Sequence, residues 1–307
     1  MSKVLFSRLA GLIGVYLLRE GWRSYVSCNG ATPKCVPLPR EMNGFCADPF
    51  FFEKDGVLWL FFETVTKAMK GRLACCRWTG KVWADFQIVL EEPFHLSYPQ
   101  VVEEDGHIYM IPESGDHGKG CVALYEATDF PRGWVKRQVL IDKPYADSTL
   151  LRKDGHYYLA CYTNEKETAE LWHSEKLIGP WSLHQQSGNM NQSRRLRRCG
   201  GAWLEEGGKL FRIAQDCNGF YGKRLFKVPV KKISPIEYEE GVAKVLWDEM
   251  MYPYRKCHTY NEVERVGGGG VEKWRVIDCH QNVLRNPIEA MRMLWAYAWG
   301  KVRRRGV

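Results

Sequence analysis

A chain of 307 residues that is 45% hydrophobic and 26% charged has the apolar mass for a full core, and its composition is neither disordered nor fibrous. The net charge of +8 suits nucleic acid, an anionic membrane surface or an anionic glycan, and it is concentrated in two runs, residues 194–198 and 301–305. The 11 cysteines include no CxxC pair, which argues against a zinc ribbon, and several sit inside apolar runs such as Leu159-Ala160-Cys161-Tyr162, as small buried residues of a reducing compartment do.

Residues 4–18 are mostly apolar but carry Arg8, and about 15 residues fall short of the roughly 20 needed to span a bilayer. No small-residue cleavage site follows, so residues 1–19 read as an apolar, amphipathic helical extension. Four similar hairpins come next. The first is Ala47-Asp48-Pro49-Phe50-Phe51-Phe52, a turn at Asp55-Gly56, and Leu58-Trp59-Leu60-Phe61-Phe62-Glu63. The second runs from Ser97-Tyr98-Pro99-Gln100 through Asp105-Gly106 to Ile111-Pro112-Glu113. The third runs from Ala146-Asp147-Ser148-Thr149 through Asp154-Gly155 to Cys161-Tyr162. The fourth runs from Gly200-Gly201-Ala202-Trp203 through Gly207-Gly208 to Ile213-Ala214-Gln215.

Asp-Gly between apolar runs marks a tight hairpin, because both turn residues need positive φ. The turns recur after 50, 49 and 53 residues. A fifth unit starts at His258-Thr259-Tyr260, turns at residues 267–270 and returns through Trp274-Arg275-Val276-Ile277-Asp278. Further strand pairs, such as Val122-Ala123-Leu124-Tyr125, lie between the hairpins, so each unit holds about four strands in about fifty residues, the size of a propeller blade. The fold class is therefore all-β: a five-bladed β-propeller over residues 20–285, with the N-terminal extension and a basic amphipathic helix over residues 286–307. Strand–helix alternation and a P-loop are both missing from the sequence.

In a propeller the innermost strands line the axis, so equivalent positions form rings. Strand starts supply Asp48, Tyr98, Asp147, Gly200 and His258. Strand ends supply Glu63, Glu113, Tyr162, Gln215 and Asp278. Carboxylates that end buried apolar runs need a polar pocket or a wet rim. Such a pocket suits a sugar: acids accept hydrogen bonds from hydroxyls, and Tyr98, Tyr162 and Trp203 offer stacking faces. Arg212, beside Gln215 and Asp216, is a candidate clamp for an acidic group, and His258 is a candidate ligand or proton shuttle. No Asp-rich calcium loop is visible, and no metal or cofactor is expected.

The motifs Ala47-Asp48-Pro49-Phe50, Ser97-Tyr98-Pro99-Gln100 with Ile111-Pro112-Glu113-Ser114, and Ala146-Asp147-Ser148 resemble the N-terminal domain of plant glucosamine inositolphosphorylceramide transferase and its bacterial relatives, over roughly residues 40–225. More distantly the chain is similar to five-bladed glycosidases of the family 43 and arabinanase type. That resemblance implies Asp48 as general base and Asp147 as the residue that tunes the acid. The fourth-blade acid of that family has no counterpart, since Gly200 and Gly201 stand there, so Glu113 or Asp216 would supply the proton.

The expected function is that of a carbohydrate-active propeller, glycosidase-like or associated with sugar transfer. Its catalytic candidates are Asp48, Glu113 and Asp147. Its substrate-binding candidates are Glu63, Tyr98, Tyr162, Trp203, Arg212, Gln215, Asp216 and His258. The alternatives are a non-catalytic glycan-binding propeller that partners a glycosyltransferase, and a protein-interaction propeller. The expected partners are a glycan or glycolipid of anionic character, a glycosyltransferase, and a membrane surface met by the basic tail, with no nucleic acid. The expected location is cytoplasmic, peripheral at the membrane.

Overall fold

The computed structural model describes residues 18–116, 119–248, 256–267 and 269–284. Both helical extensions inferred above fall almost wholly outside these residues. Residues 22–279 form one compact unit. It is all-β, and among the described residues the only helical turns are the short 3₁₀ segments Arg40–Met42, Ser187–Asn191 and Arg194–Leu196. No helix among the described residues is long and apolar enough to cross a membrane.

Five antiparallel sheets make the blades. Blade one is Ala47–Lys54, Val57–Val65, Gly71–Trp78 and Trp83–Leu90. Blade two is Leu96–Glu104, His107–Asp116, Val122–Asp129 and Arg132–Ile141. Blade three is Tyr145–Lys153, His156–Thr163, Thr168–Ser174 and Ser182–Leu183. Blade four begins with the broken strand Arg198–Cys199 and Leu204–Glu206, followed by Lys209–Asp216, Arg224–Ile233 and the outer pieces Tyr238–Glu240 and Lys244–Asp248. The hairpin turns are as the sequence implies, with Asp55, Asp105 and Asp154 at φ 49–51° and each following glycine at 72–80°.

The fifth blade departs from the repeat count. Its inner strands are Tyr260–Gly267 and Gly270–Leu284, but its outer strands come from the other end of the chain, Leu18–Cys28 and Lys34–Cys35. The Asn29 N–H donates to the Lys273 carbonyl at 2.9 Å and its side chain accepts from the Lys273 N–H at 2.8 Å, which ties the two ends together. The strand Leu18–Cys28 belongs to this compact unit from Trp22 onward.

Strand alternation sends successive side chains to opposite faces, so each sheet packs against both neighbours. Leu60 and Phe62 of blade one meet Val26 and Trp274 of blade five, while Phe61 and Cys75 meet Met110 and Ala123 of blade two. Leu124 meets Leu159, Leu171 meets Leu210, and Ile213 meets Cys257 and Cys279, completing the ring. All eleven cysteines are free thiols, and seven of them are buried in these layers.

Candidate functional site

The inner strands of the first three blades share a local irregularity. Asp48, Tyr98 and Asp147 adopt φ of 47°, 52° and 47°, a left-handed conformation that non-glycine residues rarely take. Pairing slips by one residue at each of these places, between Ala47 and Phe50, Ser97 and Gln100, and Ala146 and Thr149. Such bulges re-aim side chains and cost about 1–3 kcal/mol, so the surroundings must hold them. Neighbouring blades do so with carboxylates. The Asp48 N–H donates to Asp278 Oδ2 at 3.0 Å, and the Asp147 N–H donates to Glu113 Oε2 at 2.9 Å.

The result is a central cavity of about 240 Å³. It gathers five of the residues named from the repeat: Asp48, Glu63, Asp147 and His258, which are buried, and Glu113, which is partly buried. Three aromatic walls that carry no repeat signal join them: Trp22 on the strand from the chain's start, Phe45, and Tyr221 in the loop after the second strand of blade four. His95, Ser97 and Arg198 complete the lining.

His258 is fixed on several sides. Its Nδ1 lies 2.5 Å from Asp278 Oδ2, its Nε2 lies 3.7 Å from Asp48 Oδ1, its ring stacks on Trp22 at 4.0 Å, and the edge of Tyr221 meets it at 4.9 Å. Burial opposes its charge, but Asp278 and Asp48 outweigh burial and raise its pKa to about 9. Asp48 accepts from Thr259 Oγ1 at 2.6 Å. Burial, with Asp147 and Glu63 nearby, lifts its carboxyl to about 7 against the opposing pull of His258. Burial and the adjacent Asp147 lift Glu113 to about 8, with Arg198 pulling the other way. The cavity therefore holds two carboxyls that exchange protons near neutrality, and a histidine that stays charged beside them.

Asp48, His258 and Asp278 present ligand atoms within 4.8 Å of one another, a grouping with the reach to hold a cation. Asp278 is already engaged, however. Its Oδ1 accepts from the His258 and Thr259 N–H groups, and its Oδ2 takes the Asp48 N–H and faces His258 Nδ1. It serves as the holder of the histidine and of the Asp48 bulge.

Asp147 is paired. Its Oδ2 accepts from Arg198 Nε at 2.5 Å and from Gln215 Nε2 at 2.6 Å. Arg198 comes from the basic run noted in the sequence, but the ring drawn from the repeat has Gly200 in its place. Strand pairing sets Ala47 opposite Glu63, Ser97 opposite Glu113, Ala146 opposite Tyr162, and Arg198 opposite Gln215. The ring position in blade four thus belongs to Arg198 and Cys199, ahead of the Gly200 assigned from spacing. Tyr162 and Gln215 line an adjoining cavity of about 260 Å³ with Arg194, Cys217 and Asn218, and Arg198 lines both cavities.

Four of the other named residues are placed away from the funnel. Tyr98 is fully buried, and its hydroxyl bonds to Thr149 Oγ1 at 2.9 Å while accepting the Gly201 N–H at 2.7 Å. It joins blades, and no face of it is open to a sugar. Trp203 packs in the layer between blades three and four and donates Nε1–H to the Thr149 carbonyl. Arg212 is buried beside Glu240, 2.7 Å from its Oε1. Asp216 is buried, accepts from the Asn218 N–H, and lies 3.8 Å from Arg195.

Comparison with known proteins agrees with this architecture. Residues 26–260 match the family model described as glucosamine inositolphosphorylceramide transferase 1, N-terminal. The transferase of that name from Oryza sativa subsp. japonica is 38% identical over 208 residues, and that from Arabidopsis thaliana is 33% identical over 226, covering 64% and 70% of this chain. The chain spans only 28% of the length of these relatives. Among solved structures, an α-L-arabinofuranosidase from Lactobacillus brevis superposes with a TM-score of 0.53 at 14% identity, over 68% of this chain and 81% of the enzyme. A family 117 glycoside hydrolase from Zobellia galactanivorans gives 0.54 at 10% identity, over 83% of this chain and 90% of the enzyme. At such identities the likeness is one of fold: a five-bladed propeller of the glycosidase type. The chain belongs to the family of glucosamine inositolphosphorylceramide transferase 1 N-terminal domains.

Proposed function

We propose that the funnel binds the glycan part of a glycolipid and acts on it by proton transfer, with Asp48 as base and Glu113 as acid. The observation that carries this reading is the convergence of Asp48, Glu63, Glu113, Asp147 and His258 in one cavity walled by Trp22, Phe45 and Tyr221. Acids accept from sugar hydroxyls, and aromatic rings stack on a sugar's apolar face. The carboxyl of Glu113, raised to about 8, is mostly protonated at neutral pH and gives its proton to the leaving oxygen as the glycosidic C–O bond breaks. Asp48 takes the proton from the attacking water or hydroxyl, whose oxygen bonds to the anomeric carbon. Asp147, tied to Arg198 and Gln215, positions the Glu113 carboxyl group through its backbone N–H, which donates to Oε2.

The test is turnover of a panel of oligosaccharides and inositolphosphoryl glycolipids by the full chain and by Asp48→Asn. A fall of about 10²-fold or more in kcat is expected, in line with loss of a general base. Unchanged turnover would remove Asp48 from this role. A binding-only reading has one observation in its favour: the inner strand of blade four gives the funnel Arg198 and no carboxylate. On that reading calorimetry detects ligand, no product accumulates, and a glycosyltransferase partner performs the transfer.

A further inference from the structure

Arg198 breaks the pattern of its ring. The residues that pair with the strand-end positions in blades one to three are small, Ala47, Ser97 and Ala146, and blade four puts an arginine in their place. The side chain is 17% exposed. Its Nε is engaged by Asp147, and the rings of Tyr162 and Tyr221 lie 5.6 and 5.3 Å from the guanidinium carbon. Among the described residues, the two terminal nitrogens make no hydrogen bond and are not closed off from the cavities, which both Arg198 and its neighbours line. A guanidinium held by its Nε and flanked by two rings, with its outer fork open, is pre-organised for a pair of oxyanion oxygens.

The surrounding charges set a direction. Asp147 balances Arg198 through Nε, and Glu113 lies close enough to act on the same guanidinium. The same cavity presents Asp48 and Glu63, which would repel an anion and accept from hydroxyls. Beyond Arg198, the side cavity carries Arg194 at the rim, paired with Glu167.

We propose that Arg198 is an anion-binding subsite, whose terminal nitrogens hold a phosphate or carboxylate of the glycan so that the sugar ring enters the funnel and the remainder of the ligand runs through the side cavity past Tyr162 and Arg194. The proposal rests on the reading of the funnel as a saccharide site and adds the class of saccharide: one bearing an oxyanion on or next to the bound ring.

Calorimetry on the full chain at low salt tests it, with glucose, glucose 6-phosphate, glucuronate and inorganic phosphate as probes. At least one anionic sugar is expected to bind tenfold or more tightly than glucose, and the two anionic arms tell phosphate from carboxylate. Arg198→Lys, which keeps the charge and loses the fork, is expected to bring the anionic-to-neutral affinity ratio down at least fivefold. The double variant Arg198→Met with Asp147→Asn removes both partners together, avoids a buried lone carboxylate, and is expected to bring the ratio to about one. Binding of glucose and the anionic sugars with equal affinity overturns the subsite and leaves the funnel reading standing. A ratio unchanged in both variants overturns it as well, as does inorganic phosphate binding as tightly as glucose 6-phosphate. Binding of none of the sugars overturns both readings.

Discussion

At the scale of single residues, the site is governed by groups that bind protons more tightly folded than unfolded. His258 is raised to about 9, Asp48 to about 7 and Glu113 to about 8, from unperturbed values of roughly 6.5, 3.9 and 4.3. All three shifts have the same sign. Their contribution is fully present below the unfolded pKa and is lost as pH rises through the folded one. Stability from the carboxyls therefore declines between about pH 4 and 8, and that from the histidine between about pH 6.5 and 9. Thermal melts of wild type and Asp48→Asn across this range check the point: the variant should gain relative to wild type as pH rises, and a constant difference would contradict it. Asp278→Asn should lower the His258 titration midpoint by at least about one unit, read from its imidazole proton shifts by NMR, because the aspartate next to Nδ1 is the leading cause that raises it. The repeat made Asp48, Glu63, Glu113, Asp147 and His258 legible at this scale. It misdirected the reading of Tyr98, because equivalence of backbone position does not set side-chain direction at a bulge. It also hid Arg198, because the inner hairpin of blade four is one residue longer: Arg198 lies 17 residues before its partner Gln215, where Ala47, Ser97 and Ala146 lie 16 before theirs.

At the scale of elements, the inner strands depend on a few close approaches. Gly201 sits at φ 138°, and a Cβ there would lie 1.9 Å from the Tyr260 carbonyl oxygen, with no flexible side chain to yield. Gly201→Ala should destabilise by about 3 kcal/mol or more, since backbone has to move in two blades. The sequence reading met this glycine as the place of a missing acid; its physical role is to let blades four and five touch. Tyr98→Phe should cost about 1–3 kcal/mol, because it strands the Gly201 N–H and leaves the buried Thr149 hydroxyl short of one partner. Urea denaturation measures both variants. An unaltered midpoint for Tyr98→Phe would show that water replaces the phenol and that the tyrosine does not join the blades.

At the scale of the whole molecule, the ring is closed by pairing the strand Leu18–Cys28 with Gly270–Leu284 in blade five. Val26 on that strand is buried with Leu60, Phe62 and Trp274 at the seam between blades five and one. Val26→Asp places a charge in that layer and should cost about 4 kcal/mol or more, opening the ring and carrying Trp22 away from His258. Loss of both the cooperative thermal transition and sugar binding is expected, and a folded variant with an intact melt would refute the closure's importance. The hairpins, their turns and the spacing of about fifty residues could be read from the chain alone, because positive-φ turn residues and strand alternation are local requirements that each blade meets by itself. The family motifs around Asp48, Tyr98 and Asp147 were legible for the same reason. Closure, the aromatic walls at Trp22, Phe45 and Tyr221, and the placing of Arg198 were decided only in the tertiary structure. Each joins segments far apart in sequence, and no local pattern records which distant strand completes a blade or which loop reaches its axis.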